Sequence, residues 1–148
     1  YNALSIDHLE VLNKDSLNAL KNSKTIATLL PTCSLFLGIP YADARAFINA
    51  GIPVCLASDY NPGSSPSGNM NLVVSLACIR QKMLPEEAIN AATMNGAAAM
   101  ELSASHGSIT RGKAANVFIT KPIPSLAFYP YSFGSNLIET VIMNGEIY

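Results

Sequence analysis

Short apolar runs and amphipathic segments alternate along the first 60 residues. The apolar runs predict three strands, over Ala3–Leu9, Lys24–Pro31 and Ile52–Asp59. Between the first two, leucines at helical spacing predict a helix within Asn13–Ser23, with Asn13 or Asp15 as its N-cap. A second helix is expected over Tyr41–Gly51, where Gly51 supplies the left-handed residue at the C-terminus.

The second and third strands are almost wholly apolar, without the alternation of a half-exposed strand. Strands of this kind are typical of a parallel sheet or barrel that is covered on both faces. The order strand, helix, strand, helix, strand therefore predicts an α/β fold.

The pattern becomes helical after residue 64. Ser65 is the expected N-cap, and Pro66 the first helical position, of a helix that runs through the apolar stretch Asn69–Met83. Pro85, followed by two glutamates, begins a further helix, which the pair Asn95-Gly96 breaks or bends.

The last third of the chain loses this helical pattern. Two glycines precede a strand in "HGSITRGKAANVFI", an aromatic loop follows it, and an Asn144-Gly145 turn joins two final strands. A boundary near Ser103–Gly107 separates the α/β part from a small β appendage. The two predicted parts are residues 1–103 and 104–148.

Composition narrows the classes of function. Of 148 residues, 49% are apolar and only 13% are charged, and the net charge is -1, so the chain offers a packed core and no basic surface for nucleic acid. No apolar run reaches the length of a membrane span, and no signal peptide is seen. The three cysteines lie far apart and are read as packed, reduced thiols of a cytoplasmic protein. The chain begins at Tyr1 almost inside a structured pattern, so we expect it to be a piece of a longer protein.

Two chemically active side chains follow predicted strands. His8 ends the first strand and Asp59 ends the third, so both are expected at the carboxyl edge of one sheet, where the active sites of α/β barrels lie. A carboxylate there can bind a metal or act as a base, and a histidine can bind a metal or carry a proton. Asp59 could instead cap the following turn, and a lone histidine is more often structural. In the loop after Asp59, Asn61 and Gly63 shape the backbone, and Ser64 and Ser65 can donate hydrogen bonds, unless Ser65 instead caps the next helix.

Four stretches together resemble the imidazolonepropionase family of the amidohydrolase superfamily: "SIDHL", "TIATLLP", "GIPVCLASDYNPGSSP" and "RGKAANVFI". The resemblance implies a metal-dependent hydrolase that converts 4-imidazolone-5-propanoate and water to N-formimidoyl-L-glutamate in histidine degradation. It implies one zinc or iron ion bound by Asp59, which also takes a proton from water. It further implies that His8 polarises or orients the substrate carbonyl, and that Asn61, Gly63 and Ser64 belong to the loop that holds this small-molecule substrate.

The family binds its metal mainly through a His-x-His pair and further residues on earlier strands, and this chain has only His8 and His106. A (β/α)8 barrel also needs about 250 residues. We therefore expect the C-terminal part of a TIM barrel, its last three βα units, plus a share of the small β domain. Such a piece is expected to be inactive alone, to bind metal weakly or not at all, and to form homo-oligomers through open sheet edges. Two alternatives stay open: another amidohydrolase, such as a deaminase or a dihydroorotase-like enzyme, or a non-catalytic binding module derived from the barrel.

Overall fold

The computed structural model describes residues 2–148. Tyr1, on which the expectation of a longer protein was based, lies outside them. The first half of the chain contains β1 Ser5–Asp7, α1 Lys14–Lys21, β2 Ile26–Leu29, α2 Pro31–Leu37, α3 Ala44–Asn49 and β3 Val54–Leu56. Next come α4 Met70–Ile79, α5 Pro85–Asn90, a π-helical turn Ala91–Asn95 and α6 Gly96–Ala99. The last part contains β4 Val117–Thr120, α7 Phe128–Tyr131, β5 Ile138–Met143 and β6 Glu146–Ile147. None of the described helices is long and apolar enough to cross a membrane.

The first three strands form a parallel sheet in the order β1-β2-β3. Its register pairs Ser5 with Ile26 and Ala27 with Val54. All residues of β3 and most of β2 are buried, whereas β1 is largely exposed. The predicted α/β fold, with nearly all-apolar second and third strands, is confirmed.

The core lies between this sheet and the helices that follow it. Leu29 of β2, Phe47 of α3 and Val73 of α4 are completely buried in one apolar cluster. Burying a side chain of this size contributes roughly 1.5–3 kcal/mol each. The same helices therefore fix the position of β3 and of the loop after it.

The structure departs from the sequence analysis at two places. Pro31 follows the end of β2, as expected, but it also occupies the first turn of α2, a helix that the sequence pattern did not predict. Ser65 does not cap α4, because that helix begins at Met70 and the Asn69 side chain accepts hydrogen bonds from the backbone of its first turn.

The expected distortion near Asn95-Gly96 is present as the π-helical turn between α5 and α6. Its last residue, Asn95, donates a side-chain hydrogen bond of 2.7 Å to the carbonyl oxygen of Val54 at the start of β3. Single π-helical turns within α-helices are rare and are often found at functional sites. The bond supports the amino end of β3 from the helical layer.

Strands β4, β5 and β6 form a separate antiparallel sheet. Its hairpin turns at Asn144-Gly145, which both have positive φ as a type I′ turn requires, and this predicted turn is confirmed. The aromatic loop before it contains the short helix α7, which the sequence did not predict, and its Tyr129 packs in the main core and stacks on Phe118. The division into parts 1–103 and 104–148 stays a prediction.

Candidate active site

His8 and Asp59 lie at the same edge of the parallel sheet. His8 directly follows β1, and Asp59 comes three residues after the end of β3. Because β2 separates the two strands, their ends are about 10 Å apart. The topology therefore brings both predicted residues to the carboxyl edge, as the sequence indicated.

Asp59 has a left-handed backbone, with φ +52°, which is uncommon outside glycine. The side chain of Asn61 stabilises this conformation, because its Nδ2 donates to the Asp59 carbonyl oxygen at 2.6 Å. Its Oδ1 accepts from the backbone N–H groups of Gly63 and Ser64, at 2.9 and 2.8 Å. Asn61 thus closes the loop on itself, in the manner of an Asx turn.

The carboxylate of Asp59 is half-buried, and Ser64 fixes one side of it. Ser64 Oγ lies 3.0 Å from Asp59 Oδ2 and 3.1 Å from Asn61 Oδ1. A hydroxyl carries one proton, so Ser64 donates to one of these oxygens at a time. The buried thiol of Cys33 also lies close enough to hydrogen-bond with the Asp59 carboxylate, so residues on the protein side hold this group from two directions.

Two further hydroxyls hold the residue before Asp59. The sequence offered Ser65 as a hydrogen-bond donor or a helix cap, and it did not single out Thr32. Thr32 Oγ1 donates to the Ser58 carbonyl oxygen at 3.0 Å, and Ser65 Oγ donates to the same oxygen at 2.6 Å. Both side chains are buried. The signal that could have found Thr32 is its position three residues after β2, which matches that of Asp59 after β3, because residues that follow neighbouring parallel strands meet at one edge.

Cys33 lies beneath this loop and is fully buried. Burial raises the pKa of its thiol, hydrogen bonding with Ser64 lowers it, and the nearby charge of Asp59 raises it further. The thiol is therefore neutral and packs under the loop. This agrees with the reading of the cysteines as packed, reduced thiols.

His8 is held much less firmly than Asp59. Its backbone and that of Leu9 are both left-handed, with φ of +72° and +71°. Its ring contacts Glu10, with Nδ1 3.3 Å from Oε1, and its side chain is 51% exposed. The ring is thus free to meet a ligand, but the described residues do not fix its orientation.

The residues at this sheet edge could supply one ligand of a metal ion, but not a complete metal site. Asp59 offers a carboxylate oxygen at the sheet edge, but residues 2–148 contain no cluster of three or more His, Cys, Asp or Glu side chains that could hold an ion. Catalytic zinc usually has three protein ligands. Asp59 therefore suits a single ligand of an ion whose other ligands lie outside these residues.

Two cavities of about 370 Å³ are present that neither His8 nor Asp59 lines. The first lies at the amino end of β3, around Ile52, Val54 and Asn95, away from the predicted site. The second is apolar and is lined in part by Thr32 and Ser65, next to the Asp59 loop.

Comparison with known families decides the class of protein. The profile of the amidohydrolase family matches residues 6–148, nearly the whole chain. The chain belongs to the amidohydrolase family. This agrees with the amidohydrolase resemblance of the four sequence stretches.

Two curated relatives of this amidohydrolase chain share more than half of its residues. It is 61% identical over 147 residues to the imidazolonepropionase of Christiangramia forsetii and 62% identical to that of Flavobacterium johnsoniae. Each match covers 99% of this chain and 36% of the relative. The chain thus spans about a third of the length of these relatives, and the resemblance seen in the sequence is confirmed.

Solved structures agree on the fold of the amidohydrolase chain. A zinc-bound adenosine deaminase from Xanthomonas campestris matches with a TM-score of 0.86 at 20% identity, over 97% of this chain and 36% of that one. Guanine deaminase of E. coli matches with a TM-score of 0.80 at 20% identity, over 97% and 38% of the two chains. At this level of identity the likeness concerns the fold alone.

Proposed function

We propose that this chain is part of an imidazolonepropionase, which hydrolyses the cyclic amide of 4-imidazolone-5-propanoate to N-formimidoyl-L-glutamate. The observation that carries the proposal is the 61–62% identity to two imidazolonepropionases over 99% of the chain. The deaminase structures share the fold at only 20% identity, which does not favour their reactions over this one. The three free cysteines support a cytoplasmic, reducing location.

In this proposal the described residues form the last three βα units of a (β/α)8 barrel and a share of the small β domain. The three parallel strands with helices between them support it, as does the coverage of only 36% of the relatives. The remaining strands would carry the other metal ligands. The open edges of β1 and β3 would then pair with those strands.

Asp59 would be one ligand of a single zinc or iron ion. An ion of this kind, when bound, lowers the pKa of water and so makes hydroxide available near neutral pH. The hydrogen bond from Ser64 to Oδ2 would hold the Asp59 carboxylate in place for this role. The Asp59 carboxylate then accepts the proton of the attacking water and passes it to the departing ring nitrogen.

His8 and the loop after Asp59 would bind the substrate. The exposed His8 ring donates a hydrogen bond to the carbonyl oxygen of the imidazolone and so polarises it. Asn61 contributes by shaping the loop, since its side-chain atoms already bond within it. Gly63 and Ser64 provide a surface without bulky side chains, against which the ring and the propanoate can lie.

The isolated chain would be inactive and poor in metal, because Asp59 alone cannot hold a catalytic ion. It would also self-associate. Support comes from its exposed apolar side chains, several of which are consecutive in and after α2: Leu35, Phe36, Leu37 and Ile39.

The test compares the full-length parent protein with the isolated chain and with two carboxylate variants. Turnover of 4-imidazolone-5-propanoate, cytosine and dihydroorotate is measured together with bound zinc and iron. We expect hydrolysis of the imidazolone alone, and a loss of about 10²–10⁴-fold in Asp59→Asn. Asp43→Asn is the matched control, because Asp43 caps α3 and the amide retains the acceptor oxygen. Turnover of another substrate, or full activity of Asp59→Asn or of the isolated chain, would refute the proposal.

A further inference from the structure

We propose that Thr32 and Ser65 are positioning residues for Asp59, because their hydroxyls hold the Ser58 carbonyl and thereby fix the backbone that carries the reacting carboxylate. This inference rests on the proposed hydrolase function. It adds two residues to that site which do not themselves contact the substrate.

The first step of the argument is the shared acceptor. Thr32 Oγ1 and Ser65 Oγ reach the Ser58 carbonyl oxygen at 3.0 and 2.6 Å. A carbonyl oxygen has two lone pairs, and here both are used by side chains that are 3% and 1% exposed. The peptide between Ser58 and Asp59 cannot rotate unless two buried hydrogen bonds break.

The second step concerns the other side of Asp59. Asn61 Nδ2 holds the Asp59 carbonyl oxygen at 2.6 Å. Both peptide groups that flank Asp59 are therefore tied down, and φ stays at +52°. A non-glycine residue persists in this region only where its surroundings enforce it, and such residues cluster at active sites.

The third step excludes simpler roles for the two hydroxyls. Thr32 lies in the first turn of α2, but α2 has no side-chain N-cap and the hydroxyl is directed to Ser58 instead. Ser65 was expected to cap the next helix, yet Asn69 does so. Both hydroxyls are thus used on one peptide of the Asp59 loop.

The two tethers also come from different elements. Thr32 follows β2, and Ser65 follows the Asn-Pro-Gly-Ser turn after β3, where the backbone of Asn61 pairs with that of Ser65. The contact thus joins the ends of two neighbouring strands. Displacement of either element would move Asp59 relative to the rest of the sheet edge.

The chain contains a matched control. Thr25 is also a buried threonine, and its Oγ1 donates to the Ala3 carbonyl oxygen at 2.9 Å. Thr25 precedes β2, so it lies at the opposite end of the sheet from Asp59. Thr25→Val removes the same kind of hydrogen bond far from the proposed site.

The experiment uses the full-length protein with Thr32→Val, Thr32→Ser, Ser65→Ala, the double variant T32V/S65A, and Thr25→Val. Turnover of 4-imidazolone-5-propanoate gives kcat and KM, and competition with a chelator gives the affinity for Zn²⁺. Assays are run well below the melting temperature of every variant. Loss of a residue that orients a metal ligand typically costs about 10–100-fold in metal affinity or activity.

We expect Thr32→Val and Ser65→Ala each to lower kcat and Zn²⁺ affinity about tenfold, with KM nearly unchanged, and the double variant to lose more. Thr32→Ser should keep kcat and Zn²⁺ affinity near those of the wild type, and Thr25→Val should lower the melting temperature without changing kcat or Zn²⁺ affinity.

Wild-type kcat and Zn²⁺ affinity in T32V/S65A, or an equal loss in Thr25→Val, would overturn the positioning role while leaving the proposed hydrolase function intact. A wild type that binds Zn²⁺ but does not turn over imidazolone would refute the proposed reaction, and a tenfold loss of Zn²⁺ affinity in Thr32→Val would still support the tether.

Discussion

The ends of β1 and β3 carry the two candidate catalytic residues in contrasting surroundings. Asp59 follows a fully buried strand, and side chains on both sides of it hold its backbone and one carboxylate oxygen. His8 follows a mostly exposed strand, and its ring has a hydrogen bond with Glu10 alone among the described residues. Both residues have a left-handed backbone, but only that of Asp59 is enforced by nearby hydrogen bonds.

The difference follows from where each strand lies in the sheet. Helices α3, α5 and α6 and the π-helical turn pack around β3, and the loop after β3 folds back on itself. The outer edge of β1 has no partner strand in residues 2–148. Asp59 is therefore preorganised by this chain alone, whereas His8 would gain its orientation only from parts of the proposed barrel outside it.

The largest expected effect is on stability and compares the two strands directly. Leu56→Ala in β3 should lower the free energy of unfolding by about 2–5 kcal/mol, because it leaves a cavity in the core. Ile6→Ala in β1 should cost less than about 1 kcal/mol, because Ile6 is 42% exposed. Urea titration of the two variants measures both. Equal losses would show that β1 and β3 do not differ in packing as described.

The next largest effect is on catalysis and compares the loop after β3 with the loop after β1. In the full-length protein, Asn61→Ala should lower kcat/KM for 4-imidazolone-5-propanoate by about 10–100-fold, because the left-handed Asp59 loses the side chain that closes its loop. Glu10→Gln should change it by less than about threefold, since the exposed His8–Glu10 contact contributes little. Steady-state kinetics of both variants provide the measurement. A larger loss in Glu10→Gln than in Asn61→Ala would reverse the comparison between the two ends.

The sequence predicted the parallel sheet and the two residues at its carboxyl edge. Apolar strands without alternation predicted buried parallel strands, and chain order placed His8 and Asp59 at the same edge. It could not predict α2, because Pro31 reads equally as a strand terminator and as a first helical residue. Nor could it assign the hydroxyl of Ser65, which forms a long-range contact with Ser58 where local rules favour a helix cap.

The smallest effect tests the frame around β3. Arg45 of α3 donates two hydrogen bonds to Glu87 of α5, at 2.7 and 2.9 Å, and Glu87 also accepts from the Leu84 N–H. The hydrogen bonds from Arg45 lower the pKa of the Glu87 carboxyl below its usual value. A carboxyl whose pKa is lower in the folded state stabilises the fold above its unfolded pKa, and this contribution is lost as the pH falls through the folded pKa.

Glu87→Gln should therefore have a lower melting temperature than the wild type near pH 7, and the difference should shrink as the pH falls below about 4. Glu86→Gln is the control, since it removes the same charge from the same turn of α5 at an exposed position. Thermal unfolding across pH 3–7 gives the comparison. If the gap between Glu87→Gln and the wild type were the same at pH 3 and pH 7, ionised Glu87 would not be what joins α3 to α5, and the frame that holds β3 would depend on apolar packing alone.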